Sequence, residues 1–185
     1  MDAPILKGGT ALIDVDDFLK KLSIGSGQTI ADLGCGGGGH FVAPTAALVG
    51  TAGLVYAVDI QKKVLNSLEV SLKLQNIGNV KLVWSDLEKV GAADVPNDSC
   101  DGAILANILF QNKDQGSILE EAARMLKKGG TMVVVDWKMN PSPFGPPTEL
   151  RVAPERVRML AEQKGLQYKY LFDIGAYHYS ILFVK

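Results

Sequence analysis

The sequence predicts a doubly wound α/β fold closed by an antiparallel hairpin. Three observations predict it. Strand-like and helix-like stretches alternate along most of the chain. The strand-like ones include near-continuous apolar runs such as "GLVYAVDI", as strands buried on both faces require. The last two, "LQYKYLF" and "YHYSILFVK", are separated only by "DIGA", a gap suited to a hairpin. The final strand therefore runs against the others.

In chain order, "DVDDFLKKL" (Asp14–Leu22) reads as a short helix with Asp14 as N-cap. "QTIADL" is a strand entering a glycine-rich turn. "TAALVG" continues a helix that Gly50 ends and whose first turn tolerates Pro44. After "GLVYAVDI", Val64, Leu65, Leu68 and Leu72 recur at helical spacing. "NVKLVWSD" is a third strand, and "CDGAILAN" a fourth after a region with little helical signal. Ile118, Leu119, Ala122, Met125 and Leu126 form an amphipathic helix that Gly129-Gly130 is expected to stop. "TMVVVDW" is a fifth strand, "NPSPFGPP" a loop, and "APERVRMLAEQKG" a helix with Gly165 just past its end.

With 185 residues, the chain suits one domain spanning 1–185, opened by a short helical segment over 1–27. The formal charge of −1, from 19 basic and 20 acidic side chains, gives no reason to expect a nucleic-acid partner. No charged-then-apolar leader opens the sequence, and no apolar run approaches the roughly 18–20 residues of a membrane span, so the cytoplasm is the expected address. Cys35 and Cys100 are the only cysteines and sit in no metal-ligand cluster, so buried thiols are expected and no metal site.

The turn "ADLGCGGGGH" carries the first chemistry. Gly34, Gly36 and Gly39 fit the dinucleotide pattern G-x-G-x-x-G. Gly34, Gly36 and Gly38 fit G-x-G-x-G, the pattern of proteins that hold S-adenosylmethionine (SAM). Asp59 ends the second strand, 25 residues after Gly34, where a carboxylate can accept from both hydroxyls of a ribose in either ligand. Asp59 can equally steady the helix that follows. Three features choose between the ligands. Asp32, just before the turn, would face a pyrophosphate unfavourably but complements an ammonium group. Asp86, in "WSDL" at the rim of the third strand, can accept from an adenine amino group, or alternatively cap a helix. The closing hairpin is the third, since a dinucleotide-binding fold does not require it.

"IADLGCGGGGHF", "YAVDI", "VWSDL", "CDGAILANILF", "ARMLKKGGTMVVVDW" and "YHYSILFVK" occur in that order from about Leu12 to Lys185. Together they resemble the motif set of class I SAM-dependent methyltransferases, nearest the small domains of quinone-biosynthesis type. The resemblance implies a seven-stranded sheet of order 3-2-1-4-5-7-6, strand 7 antiparallel, with helices on both faces. It implies that Asp32, Gly34, Cys35, Gly36 and Gly38 surround the methionine end of SAM. Asp59 would hold the ribose, Ile60 would pack on the adenine, and Ser85, Asp86 and Leu87 would read its edge. Asn107 would lie near the sulfonium and the transferred methyl, beside the reacting atoms. The implied reaction moves a methyl group to a small-molecule acceptor and leaves S-adenosylhomocysteine.

For the acceptor, topology brings Tyr177 and His178 to the ligand-binding edge, beside Trp137 and Lys138. His178 is the candidate base or hydrogen-bond partner for the acceptor, against the alternative of a half-buried hairpin histidine. His40, beginning the helix after the glycines, could contact substrate but is expected to cap that helix or face solvent. "ANIL" stands where amino-methylating members carry a [DN]-P-P-[YF] motif, and only two cysteines are present, which disfavours nitrogen and arsenic acceptors. No carboxylate cluster suggests a catechol-type magnesium site. Carbon, oxygen or sulfur of a small molecule remains. The segment ahead of the first strand is short, so either the acceptor pocket is open or another subunit, a second copy or a partner, closes it. A non-catalytic subunit of this fold that binds protein or RNA is the alternative reading. An NAD-dependent oxidoreductase is the third.

Overall fold

The computed structural model describes residues 12–185; residues 1–11 of the expected N-terminal segment lie outside the described residues. Seven strands form one sheet in the order β3-β2-β1-β4-β5-β7-β6. They are β1 (Thr29–Leu33), β2 (Leu54–Asp59), β3 (Val80–Trp84), β4 (Cys100–Ala106), β5 (Leu126–Trp137), β6 (Gln167–Ile174) and β7 (His178–Val184). β7 pairs antiparallel with both β5 and β6, and the pairs from β3 to β5 are parallel. The predicted order and the reversed last strand are both observed.

Helices α1 (Val15–Lys21), α2 (Val42–Val49) and α3 (Lys62–Leu74) supply Phe18, Val42, Leu65 and Leu68 to one core, shared with Ile104 and Val135 of the sheet. Helices α4 (Gln115–Met125) and α5 (Pro154–Gln163) supply Leu119, Met125 and Val157 to the other, against Leu105, Val134 and Phe183. Alternation along each strand sends successive side chains to opposite layers, so a buried parallel strand must be apolar throughout. Asp14 caps α1, its carboxylate accepting from Asp17 N–H at 3.1 Å.

The sheet departs from the sequence reading at the end of α4. The helix stops at Met125, and Leu126, expected inside it, opens β5. Gly129-Gly130 therefore lie in the strand. The register with β4 jumps from Cys100↔Leu126 to Gly102↔Thr131, and Gly129 takes φ +82° to make that irregularity. A Cβ on Gly130 would stand 2.9 Å from Lys127 O. The glycines shape a bulge and do not stop the helix.

Between β3 and β4, residues 85–99 form turns. They are pinned by Glu121, a fully buried carboxylate on α4 that accepts from Gly91 N–H (2.7 Å) and Ala93 N–H (3.2 Å). Both its oxygens also receive Arg124, at 2.7 and 2.9 Å. Four donors satisfy the buried charge, the condition under which burying it is tolerable.

Candidate active site

The carboxyl ends of β1 to β4 open into a cleft of about 400 Å3. It gathers Gly34, Gly36, Asp59, Ile60, Ser85, Asp86 and Leu87 from the sequence-predicted set. The turn after β1 builds its inner wall. Gly34 and Cys35 N–H both donate to Val58 O (2.8 and 3.0 Å), tying the turn to β2. Gly34, Gly36 and Gly39 have φ of +77°, +66° and +54°, a region that L side chains resist. The reasons for small size differ along the turn. A Cβ at Gly34 would meet Ile108 Cδ1 at 2.0 Å, whereas at Gly36 and Gly38 it would meet nothing within 4 Å. Those two face open space, as a ligand cradle needs. Gly39, outside the G-x-G-x-G pattern, is fixed by packing, because a Cβ there would collide with Leu68 Cδ1 of α3.

Asp59 braces this turn from β2. Its Oδ2 accepts from Gly36 N–H (3.1 Å) and its Oδ1 from Gln61 N–H (2.9 Å), joining the glycine turn to the start of α3. Asp32 lies on the same sheet face, since its register partner in β2 is Ala57 and Asp59 follows two residues later. It is buried, and its Oδ2 has no hydrogen-bond partner among the described residues. Burial, with a smaller contribution from the Asp59 charge, pushes its carboxyl up to about 7. The Cys35 thiol is pushed far up by burial and then by Asp32 and Asp59, so it is no thiolate nucleophile.

On the far wall, Asp86 Oδ1 accepts from Glu88 N–H (3.1 Å) and Oδ2 pairs with Lys89 at 3.2 Å. It caps a turn; no helix follows. Ser85 Oγ is buried without a partner among the described residues, and Ile60 is exposed. Asn107 does not line the cleft. It is buried at φ +58°, its N–H donates to Val135 O at 2.8 Å, and neither amide atom of its side chain has a partner among the described residues. Sequence reasoning missed Ile108, Gln111 and Asn112, which carry the cleft wall from the 3-10 turn Leu109–Gln111. Gln111 and Asn112 brace that turn through bonds to Asn107 O (2.6 Å) and Ile108 O (2.8 Å). Two amides closing the short apolar run Ile108–Phe110 after β4 were the available signal.

His178 reaches the expected edge but sits deeper than expected. It is fully enclosed and stacks on Trp137, its cross-strand partner, with ring centres 4.2 Å apart. Burial first, then the charges of Lys138 and Arg151, push it down to about 4, so its ring is neutral at pH 7. Neither ring nitrogen has a partner among the described residues. The "NPSPFGPP" loop folds over this edge. A Cβ on Gly145 would stand 2.5 Å from the Trp137 ring, and Phe144 packs edge-on to Tyr177 at 5.2 Å. Buried Arg151 clasps the loop by donating to the carbonyls of Lys138 (2.7 Å), Asn140 (2.7 Å), Phe144 (3.0 Å) and Pro146 (2.9 Å). Lys138 pairs with Asp173 at 2.9 Å. His40 neither caps α2, whose N-cap is Phe41, nor turns Nε2 to solvent: that nitrogen is enclosed, without a partner among the described residues.

This sheet order, with a glycine turn after β1 and acidic residues closing β2 and following β3, defines a Rossmann-like methyltransferase fold. The family described as "Methyltransferase domain" matches residues 24–171, and the chain belongs to it. It is related to methyltransferases of quinone-biosynthesis type. A demethylmenaquinone methyltransferase of Geobacillus sp. (strain WCH70) is 27% identical over 121 residues, 65% of this chain and 50% of the relative. A probable cobalt-precorrin-6B C(15)-methyltransferase (decarboxylating) of Methanosarcina mazei is 30% identical over 118 residues, 64% of this chain and 59% of the relative. The chain thus spans about half the length of the curated relatives it matches. Among solved structures, a SAM-dependent methyltransferase from Aquifex aeolicus superposes with a TM-score of 0.86 at 25% identity, covering 94% of this chain and 90% of that one. The [4+2]-cyclase SpnF shares the fold, with a TM-score of 0.78 at 13% identity over 92% of this chain and 80% of that one. No helix among the described residues is long and apolar enough to cross a membrane. Nor do His, Cys, Asp and Glu side chains among them group in threes to hold a metal.

Proposed function

We propose that this chain is a SAM-dependent methyltransferase acting on a carbon, oxygen or sulfur atom of a small molecule in the cytoplasm. The observation that carries the reading is the Asp32 carboxyl. It is buried, unpartnered at Oδ2 among the described residues, and set behind a turn whose Gly36 and Gly38 open onto free space. A buried orphan carboxylate asks for a cation, and the α-ammonium of a methionine moiety answers that need. A pyrophosphate would be repelled. This weighs against the dinucleotide reading, and a subunit freed from cofactor binding would have no reason to keep the orphan.

The chain's residues fit the cofactor in a definite order. Asp32, Cys35 and the turn at Gly34, Gly36 and Gly38 would hold the methionine end. Asp59, already fixed by Gly36 and Gln61, would accept from the ribose. Ile60, Leu87, Ser85 and Asp86 would receive the adenine. SAM supplies a methyl on a sulfonium, a group already activated for displacement. The remaining task for the chain is orientation: a nucleophile held in line needs no strong base unless its proton is tightly bound. Asn107, buried after β4 in left-handed backbone and with no side-chain partner among the described residues, would stand behind the cleft wall, near the reacting atoms.

Fold alone does not dictate the reaction, as the cyclase neighbour illustrates. The names of the curated relatives, several of them carbon methyltransferases, favour a carbon nucleophile. Titration calorimetry with SAM and S-adenosylhomocysteine tests the reading; binding to both is expected, and binding to neither at millimolar concentration would overturn it.

A further inference from the structure

We propose that the exposed edge of β6 pairs with the same edge of a second copy of this chain, antiparallel about a two-fold axis at Leu171. The inference concerns assembly and does not depend on the reaction that the cleft carries out.

Among the described residues β6 has one strand neighbour, β7, so its outer edge presents backbone N–H and C=O groups that no strand answers. Along that edge, Lys169-Tyr170-Leu171-Phe172-Asp173 is apolar at its centre and charged at its ends. Tyr170 is 45% exposed and Leu171 47%. They project to opposite faces, since Tyr170 stands across from Leu182 and Leu171 across from Ile181. Single chains guard such an edge with charge or irregularity. The irregularity in β6 lies between Tyr168 and Tyr170, ahead of the apolar centre, and leaves 170–174 in regular register with β7.

The order of these residues is self-complementary. Two-fold pairing sets Leu171 against its own copy, Tyr170 against the second copy's Phe172, and Lys169 against its Asp173, the last two contacts each occurring twice. Tyr170 and Phe172 share one face and already lie 5.5 Å apart within a copy, so pairing gathers four aromatic rings. Leu171 and Asp173 share the other face, and Lys169, two residues before Leu171, joins them by alternation. An ammonium then meets a carboxylate at both ends of the pair. The Asp173 side chain is 70% exposed, with Lys138 on it at 2.9 Å, which leaves room for a second cation. Lys169 reaches only Gln167 Oε1, at 3.5 Å, among the described residues.

The opposite edge of the sheet has no such pattern. Pairing about Leu82 of β3 would set Lys81 against Val83 and Val80 against Trp84. The polar groups there are already engaged within the chain. Lys81 pairs with Asp94 at 2.8 Å, Lys62 lies 3.9 Å over the Trp84 ring, and Trp84 Nε1 donates to Ile60 O at 2.7 Å. A short edge is small beside the roughly 1,200–2,000 Å2 of a stable interface, so the β6 dimer should be reversible and concentration-dependent.

Sedimentation equilibrium of the full chain tests the pairing. The wild type should pass from monomer to dimer through the micromolar range. Leu171→Lys, at an exposed position, should keep the wild-type thermal melt at low concentration and stay monomeric. Lys169→Asp sets carboxylates against each other at both ends, and Asp173→Lys does the same with ammonium groups. Each should raise the dissociation constant tenfold or more. An equimolar mixture of these two variants should associate again, because the mixed dimer has opposite charges at both ends. Mixing cannot repair the lost Lys138–Asp173 pair, so recovery reports the contact between copies. A wild type that stays monomeric to millimolar concentration would overturn the proposal, whatever else covers the edge. So would a dimer that survives Leu171→Lys, or a mixture that associates no better than its components.

Discussion

Asp32 and Asp59 lie near the carboxyl ends of adjacent parallel strands on one sheet face, yet they are held in opposite ways. Both Asp59 oxygens are hydrogen-bonded, while Asp32 Oδ2 has no partner among the described residues. One carboxylate is already structural, and the other is open to the charge that the proposed cofactor would bring. A ligand ammonium favours ionised Asp32, so SAM affinity should rise with pH up to the carboxyl's value of about 7 and level off above it. Below that value the expected change is up to tenfold per pH unit, or about 1.4 kcal/mol. Asp32→Asn should bind more weakly and lose the dependence. Calorimetry in buffers of different ionisation enthalpy checks this, because wild-type binding near pH 6 must release a proton.

The same raised values fix the pH dependence of stability without ligand. Asp32 and Asp136 are both pushed up to about 7, each chiefly by burial, against an unfolded value of about 4. For Asp136, the N–H groups of Trp137, Phe110 and Leu109 and the charge of Arg151 oppose the rise. Each carboxyl holds a proton in the folded state that the unfolded chain has lost, so its contribution is full below about pH 4 and is lost as pH rises to about 7. His178, pushed down to about 4, works in the other direction, adding stability as pH rises from about 4 to its unfolded value of about 6.5. Two groups oppose one, so stability should fall across this window with a net slope near one proton. Asp136→Asn should flatten that slope. Urea midpoints measured from about pH 4 to about pH 8 decide the matter, and a midpoint that climbs steadily would contradict the assignment.

On the proposed reading Asp59 both braces the turn and holds the ribose, and two substitutions weigh these roles against each other. Asp59→Ala removes the acceptor for Gly36 and Gln61 N–H, so it should lower the melting temperature as well as cofactor affinity, the latter by about 1–3 kcal/mol. Asp59→Asn keeps one acceptor oxygen and should recover part of the stability. Affinity loss without any stability change would mean that the carboxylate does not brace the turn.

Much of this arrangement was legible in the sequence because it depends on local pattern. Alternating apolar runs and helical spacing lead to the sheet and its order; Asp59 and Asp86 are found by their place at strand ends. What was not legible depends on contacts made across the fold. Gly39 looks interchangeable with its neighbours until Leu68 of α3 is packed against it. His178 belongs visibly to the hairpin, but its depth is set by a loop that one distant arginine holds down. The end of α4 was misplaced because Leu126 continues the helical spacing while its backbone has already turned extended, φ −70° and ψ 138°.

The glycines give a contrast that separates folding from binding. Gly39→Ala should destabilise the protein by about 1–3 kcal/mol, since it combines positive φ with an obstructed Cβ. Gly38 has neither constraint. Gly38→Ala should leave thermal stability nearly unchanged and weaken SAM, because its new methyl projects where the methionine end would lie. Thermal melts with and without S-adenosylhomocysteine distinguish the two, and equal ligand-induced shifts in wild type and Gly38→Ala would remove Gly38 from the cradle.

Arg151 sets the last expectation. Its guanidinium serves four carbonyls between Lys138 and Pro146, a spread that a single ammonium cannot reproduce. Arg151→Lys should therefore fail to restore what Arg151→Met loses. Both variants leave part-buried carbonyls short of donors, at a cost of about 1–3 kcal/mol only for a group that water cannot reach. The damage should stay local, because the cofactor cleft is built from β1 to β4 and the clasp lies beyond β5. Protease cleavage between Met139 and Pro147 should accelerate while S-adenosylhomocysteine affinity is kept. Loss of cofactor binding in step with cleavage would show instead that the loop and the cleft fold as one unit.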